Sequence, residues 1–303
     1  MAAPYDNEVA VSAGVVLAGG RSSRMGTPKA RLEWHGSTLL YRTVGIVARA
    51  TSGPVVVVRA SGQELPELPK GTEVVDDPRP GKGPVQGIAA GLAALAGRAE
   101  AAFIASTDLP FLHPAFIRRV LRVIEIGVIE AEGDARADVA LPVARGYPQP
   151  LAAAYRVSLA ATAERLVKED RLRPAFLFSE CAVVRLDDAT LTADPLIGAL
   201  DPDLDSVVNI NTPDDYEQAR ARPAPKVTVQ LFGALAKAGG QGSGGRGPQS
   251  VRAATVAAAA SAVRLTFDRH VTAALNGDQI TRDGATPLVT GDTVYFMSAD
   301  AGG

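Results

Sequence analysis

The residues with the clearest capacity for chemistry form one run, Leu17-Ala18-Gly19-Gly20-Arg21-Ser22-Ser23-Arg24-Met25-Gly26-Thr27-Pro28-Lys29. Glycines let main-chain N–H groups approach phosphate oxygens with no Cβ in the way. Arg24 and Lys29 supply the positive charge that a bound triphosphate requires. The apolar segment Gly14–Leu17 precedes the run directly, so the loop should leave a strand at its carboxyl end, where α/β proteins bind ligands. No Gly-Lys-Ser/Thr closes the loop, so it is not a Walker A sequence, and the dinucleotide fingerprint is also absent. A glycine turn with solvated cations would explain the glycines alone; the full string argues against it.

Asp108 has an independent case. It follows the apolar run Ala102–Ser106 and precedes Leu109-Pro110, which brings its carboxylate out at the same sheet edge. Phosphoryl-type transfer needs a divalent ion to draw charge from the reacting phosphate, and Mg²⁺ is commonly held by one or two carboxylates plus substrate oxygens. A turn or helix cap would account for an isolated Asp before Leu-Pro, but the glycine loop tips the balance to a metal ligand. Asp77 also ends an apolar stretch and precedes Pro78, where an Asx turn is the competing reading. Gly83 and Gly87 bracket a helix start, where backbone N–H groups face outward. Asn209 and Asn211 stand just before another helix, within reach of a phosphate or a metal-bound water; Asn211 could equally well only shape the turn.

The elements that must position these residues follow an alternating pattern. Strands are expected at Gly14–Leu17, Pro54–Val58, Glu73–Val75, Ala102–Ser106 and Asp138–Pro142, and helices near Thr38–Ala50, Pro84–Ala96, Pro114–Ile126 and Ser158–Glu169. Strands alternating with helices indicate an α/β domain with a mostly parallel, Rossmann-like sheet flanked by helices. Apolar runs on either side of Arg145-Gly146-Tyr147 break the alternation and read as a hairpin. Thr212-Pro213-Asp214-Asp215 is a strong helix start: Thr212 suits the N-cap, Pro213 the first helical position, and Asp215 completes a variant capping box.

Arg222-Pro223-Ala224-Pro225 reads as a short stiff break, with residues 1–222 forming the first domain, 223–225 the linker and 226–303 the second. The second begins with the alternating strand Val227–Phe232. A glycine-rich stretch (Gly239–Gly247), an alanine-rich helix and strands at Ala273–Leu275 and Thr293–Met297 follow, with turns at Asn276-Gly277 and Asp283-Gly284. This is a small α+β unit.

With 303 residues, two domains are the starting expectation. A net charge of −2 and 5% aromatic residues argue against a nucleic-acid partner. Cys181 is the single cysteine, so no intrachain disulfide can form, which fits a reducing cytoplasm. The first residues lack a basic export-signal region, and the longest apolar stretch, Ala253–Val263, is too short to span a bilayer, so no membrane association is expected. His35, His113 and His270 lack zinc-ligand spacing and suit surface or cap roles; Cys181 suits a core strand, and Glu33 and Trp34 suit structural roles.

The glycine-loop string resembles the signature of MobA-like molybdenum-cofactor guanylyltransferases. Asp77, Gly83-Pro84-Val85-Gln86-Gly87, Asp108-Leu109-Pro110-Phe111, Gln149-Pro150-Leu151 and Asn209-Ile210-Asn211-Thr212-Pro213 occur in that family's order over about residues 12–222. The resemblance implies transfer of GMP from GTP to molybdopterin with release of pyrophosphate. It places Leu17, Ala18, Gly19, Gly20, Ser22, Arg24, Lys29, Asp77, Gly83, Gly87 and Asp108 at the nucleotide, with Arg24, Lys29 and Asp108 in the catalytic roles. It makes Asp108 the Mg²⁺ ligand and places Gln149, Asn209 and Asn211 near the pterin. Related cytidylyltransferases tend to carry Leu-Ala-Ala-Gly at the loop, so Ala18-Gly19-Gly20 favours guanine over the cytidylyl alternative. Transfer to another phosphorylated acceptor, and nucleotide binding without turnover, are the remaining alternatives; intact Arg24, Lys29 and Asp108 favour the enzyme.

Residues 226–303 resemble MoaD-like sulfur carriers of the ubiquitin-type β-grasp fold. The resemblance lies in Val229–Leu235, Leu275-Asn276-Gly277, Pro287–Phe296 and the final Gly302-Gly303. It implies a thiocarboxylate on Gly303, with a molybdopterin synthase large subunit and an E1-like adenylyltransferase as partners. The long Gly239–Gly247 stretch departs from that pattern, and a frayed tail is the plain alternative for the two glycines.

Overall fold

In the computed structural model, residues 11–19, 26–79, 81–126, 136–238 and 247–299 are described. The first sheet contains β1 (Ser12–Leu17), β4 (Val55–Ala60), β5 (Glu73–Asp77), β6 (Ala101–Ser106), β7 (Val139–Ala144), β8 (Tyr147–Pro148), β9 (Ala152–Arg156) and β10 (Val183–Asp187), while β2 (Glu33–Trp34) and β3 (Ser37–Thr38) form a separate small ladder. The strand order is β10-β7-β9-β6-β1-β4-β5, with β8 paired to β7. All neighbours are parallel except at β9 and β8. Val55–Val58 and Phe103–Ala105 are buried, which is why these strands read as unbroken apolar runs.

Helices cover both faces. Helices α1 (Leu39–Ala48) and α3 (Pro114–Ile126) share one core with Val16, Val57, Phe103 and Ala105. On the opposite face α2 (Pro84–Ala94) and α4 (Ala160–Lys168) pack with Val15, Val56, Ile104 and Tyr155. The chain leaves β1 for β4 on one side and returns through α2 to β6 on the other, so β1 is the switch point. Its carboxyl end opens the crevice at which this architecture binds ligands. Short helices α5 (Pro174–Phe178), α6 (Asp188–Thr192) and α7 (Pro195–Leu200) flank β10, and α8 (Pro213–Arg220) follows. Helix α8 carries the expected capping box: Thr212 Oγ accepts from the Asp215 amide while the Asp215 carboxylate accepts from the Thr212 amide.

The second sheet is five-stranded, with β11 (Lys226–Leu231), β12 (Gln249–Arg252), β13 (Val271–Leu275), β14 (Gln279–Thr281) and β15 (Thr293–Ser298) ordered β12-β11-β15-β13-β14. Central β11 and β15 are parallel and the other pairs antiparallel. Helix α9 (Ala234–Ala238) follows β11, and α10 (Val256–Ala262) buries Val256, Ala259 and Ala260 with Val229, Leu275 and Phe296.

The two parts are not merely strung on a linker. Arg49 at the end of α1 grips Asp292 through Nη1 at 2.9 Å and Nη2 at 2.5 Å, with both side chains only 4% exposed. Val289 joins the core of the first sheet, and the Tyr41 hydroxyl meets Asp283. His113 was expected at the surface or in a cap; only the cap is right. Its Nδ1 accepts from the Ala115 amide at 3.0 Å, and its buried ring bonds Thr290 O at 3.1 Å across the junction. Cys181 sits just before β10 rather than in a strand; its half-buried thiol bonds Leu177 O, and burial pushes its pKa up to about 11.

Candidate active site

At the β1 switch point a cavity of about 430 Å³ is lined by Leu17, Ala18, Gly19, Lys29, Asp77, Gly83, Gly87 and Asp108, residues that chemistry had singled out in the sequence. That volume is within the usual range for a small-molecule site. The loop start is pinned to the sheet, since the Ala18 amide donates to Val58 O at 2.8 Å and Thr107 Oγ donates to Leu17 O at 2.9 Å. Gly20, Ser22 and Arg24 lie outside the described residues.

Asp108 leaves β6 and is met by Lys29, which enters from the short 3₁₀ turn Lys29–Arg31. Lys29 Nζ donates to Asp108 Oδ2 at 2.7 Å and to Asn211 Oδ1 at 3.0 Å. The two charged side chains are 21% and 16% exposed, so water screens them only in part. Ser106 Oγ donates to Asp108 Oδ1 at 2.5 Å, and the Ile210 amide donates to the Asp108 carbonyl at 3.0 Å. Asn211 is fixed by the α8 cap, because the Asp215 carboxylate accepts its amide at 2.9 Å. Backbone N–H bonds hold the Asp215 carboxyl below its ordinary pKa. An ammonium thus occupies the point on which two oxygen ligands converge, and an oxygen-only pair of this type suits a hard divalent cation. Among the described residues no group of three or more His, Cys, Asp or Glu side chains could hold a metal ion.

The glycines of α2 have separate reasons to be glycine. Gly83, the N-cap, has φ +84°, and Gly87 is closely approached, since a Cβ would lie 3.1 Å from Leu17 Cδ1 and the leucine would have to give way. Asp77 lines the cavity, and its Oδ1 accepts from the Arg79 amide at 2.8 Å as an Asx turn. Neighbouring Asp76 instead pairs with Arg59.

Two residues of the expected pterin set stand apart from the Lys29–Asp108 cluster. Gln149 follows the hairpin strand β8, and its Nε2 turns back to Ala144 O and Tyr147 O, both at 3.3 Å, so its amide is engaged by its own hairpin; Leu151 lines the cavity instead. Asn209 Nδ2 bonds Val207 O at 3.2 Å, a local contact, and only Asn211 joins the Lys29–Asp108 cluster. Two residues were missed. Ser106 directly precedes Thr107-Asp108 and could have been found as a hydroxyl beside the carboxylate. Gln63, whose Nε2 holds Ala18 O at 3.0 Å while its Oε1 accepts from the Ala60 amide, sits in a loop with no local signature.

The MobA-like NTP transferase domain family matches residues 14–183. The chain belongs to this family, and it is a nucleotidyltransferase. A probable molybdenum cofactor guanylyltransferase of Opitutus terrae is 34% identical over 217 residues, covering 70% of this chain and 96% of the relative. One from Chloroflexus aggregans is 32% identical, covering 69% of this chain and 93% of the relative. Among solved structures, molybdopterin-guanine dinucleotide biosynthesis protein A of Archaeoglobus fulgidus aligns with TM-score 0.53 at 24% identity, over 69% of this chain and 96% of that one. This last likeness speaks to the fold. The NTP transferase match stops short of the five-stranded sheet.

Proposed function

We propose that the chain transfers GMP from GTP to the terminal phosphate of molybdopterin and releases pyrophosphate. The observation that carries this reading is the meeting of Lys29 and Asp108, which line the cavity together with Leu17–Gly19, and the bond from Lys29 to Asn211. A pterin phosphate oxygen attacks the α-phosphorus, and the bond from that phosphorus to the bridging oxygen of the leaving pyrophosphate breaks. The attacking phosphate is already ionised near neutral pH, so no protein group need remove a proton. Asp108 Oδ2 and Asn211 Oδ1 are the atoms that would hold Mg²⁺, which when bound supplies charge neutralisation at the phosphates. Lys29 leaves Asp108 and turns its ammonium to the phosphates, and the Leu17–Gly19 backbone and Gly87 bound the nucleoside. Guanylyltransferase relatives and the Ala18-Gly19-Gly20 sequence support guanine as the base.

For the second sheet the reading is a β-grasp sulfur carrier, with a molybdopterin synthase large subunit and an E1-like adenylyltransferase as its partners. It is supported by two parallel central strands with the helix α10 packed on them, in the order β12-β11-β15-β13-β14. Gly302 and Gly303, the proposed acceptor of sulfur, lie outside the described residues. Among the described residues no helix is long and apolar enough to cross a membrane.

The test is incubation of the protein with molybdopterin, Mg²⁺ and each nucleoside triphosphate in turn, following pyrophosphate. Release with GTP alone supports the proposal; release with CTP alone moves it to cytidylyl transfer. No release with any nucleotide that nonetheless binds would leave a binding module. Intact mass of protein from its host, compared with the mass expected for one oxygen replaced by sulfur, tests the carrier reading.

A further inference from the structure

Arg42 has no partner in the substrate cavity, yet it is one of the most deeply buried charges of the chain, 6% exposed on α1. Its Nε donates to Pro110 O at 2.7 Å, two residues beyond Asp108. Its Nη1 donates to Leu288 O at 3.2 Å, in the C-terminal part. Leu288 is itself held firmly. Its amide donates to Ala254 O at 2.8 Å, and the flanking Pro287 O and Val289 N are bound by Arg49 and Asp292 respectively. Burial foremost, and then the charge of Arg49, bring the Arg42 pKa down to about 10, with Asp292 acting in the opposite direction. The C-terminal part therefore supplies both a hydrogen-bond acceptor and the compensating carboxylate that let this guanidinium stay buried under the Asp108 loop.

We propose that Arg42 is a positioning residue through which the docked C-terminal sheet holds the Asp108 loop in its metal-binding place. The connection runs from the Arg49–Asp292 pair through the Leu288 carbonyl to Arg42, and from Arg42 through the Pro110 carbonyl to Asp108. Asp108 is also tied by the Ile210 amide on its carbonyl and by Ser106 and Lys29 on its carboxylate, none of which involves the C-terminal part. His113 meets Thr290 O at the far end of the loop, and Arg42 makes the link nearest to Asp108. Undocking withdraws the Leu288 acceptor, and the guanidinium then draws away from Pro110 toward water. The consequence is that a family fold complete in its own sheet depends, in this chain, on a second sheet for the placement of its carboxylate.

The inference rests on the transferase reading, and its test is arranged to separate the two. Full-length wild type, Arg49→Met, Arg42→Met, Arg42→Lys and the Arg49→Met/Arg42→Met double variant are titrated with Mg²⁺ while pyrophosphate release is followed. Arg49→Met is preferred to a change at Asp292, because Asp292 also bonds the Val289 amide and Asn276 within its own part. Each single Met variant should raise the half-saturating Mg²⁺ concentration by about tenfold, as when outer partners of a metal ligand are lost. Lysine at position 42 should restore part of the shift, and the double variant should be no worse than Arg42→Met alone, because both act through one link. A purely structural role would lower melting temperature without moving the Mg²⁺ requirement. Amide exchange at Leu109–Leu112, measured against β6 as internal reference, reads the same link without turnover and should quicken in Arg49→Met. Effects of the two positions that multiply, or an undocked Arg49→Met protein with unchanged Mg²⁺ requirement and unchanged exchange at Leu109–Leu112, would overturn the proposal. Absent turnover in the wild type would count against the transferase reading alone, and the exchange measurement would still decide this one.

Discussion

Replacing Lys29 by methionine should move two measurements in opposite directions. Without substrate the Lys29 ammonium sits 2.7 Å from Asp108 Oδ2 and 3.0 Å from Asn211 Oδ1, the same two oxygens offered to a divalent ion. At 2.7 Å and an effective dielectric near 20, unit charges attract by about 6 kcal/mol. Desolvation and side-chain ordering take back much of this, leaving a net of about 1.5–3 kcal/mol for a charge-assisted contact. A cation entering wild type must displace that contact, whereas in Lys29→Met it meets only a carboxylate steadied by Ser106. Mg²⁺ affinity without nucleotide, read by isothermal titration, should therefore tighten by about tenfold to a hundredfold, the equivalent of that energy. Nucleotidyl transfer at saturating Mg²⁺ should fall by about 10²–10³, because one preorganised cation is lost from the phosphates. Chelating the metal should stop the residual transfer in both proteins. If Lys29→Met binds Mg²⁺ no better than wild type, the ammonium does not stand in for the metal, and the assignment of Asp108 and Asn211 as its holders is wrong.

Four further outcomes follow from the same structure. Gly87→Val should raise KM for the nucleotide well above tenfold while leaving the fold intact, since even a Cβ there lies 3.1 Å from Leu17 Cδ1 and the added methyls enter the cavity; equilibrium nucleotide binding checks it. His113 is held below the ordinary imidazole value of 6.5, chiefly by burial, so its contribution to stability is complete above that value and is lost as pH falls through the lowered one. Denaturant melts at descending pH should show this loss, and His113→Gln should flatten it. Asp201 acts with the opposite sign: burial raises its pKa from 3.8 to about 6, so its contribution is complete below 3.8 and is lost as pH rises through about 6. Asp201→Asn should thus remove a decline in stability across that interval. Cys181, with its thiol raised to about 11, should react with maleimide far more slowly than an exposed cysteine, as mass spectrometry of timed quenches would reveal.

Several parts of the molecule were legible because their causes are local. Unbroken apolar runs marked β1, β4 and β6, which are buried on both faces. The hairpin expected around Arg145-Gly146-Tyr147 forms, with Arg145 and Gly146, both at positive φ, turning between β7 and β8, and Thr212-Pro213-x-Asp215 caps its helix with bonds spanning three residues. Strands β12 (Gln-Ser-Val-Arg) and β14 (Gln-Ile-Thr) escaped notice because they are edges. One face of each meets water, so neither needs the apolar run or sustained alternation on which sequence reading depends.

From the order of its residues alone, this chain disclosed a glycine loop at a strand end, a carboxylate at a second strand end and a capped helix behind two asparagines. Turn chemistry and hydrophobic period act over a few residues, so they can be read without coordinates. Only tertiary packing brought Lys29 to Asp108, 79 positions away, and to Asn211, 182 positions away. It alone converted a proline-bearing break into a docked junction sealed by Arg49 and Asp292. Such meetings depend on which strands become neighbours and on how far each helix slides along the sheet. Those choices are made by the whole core at once and leave no signature in any short window of sequence.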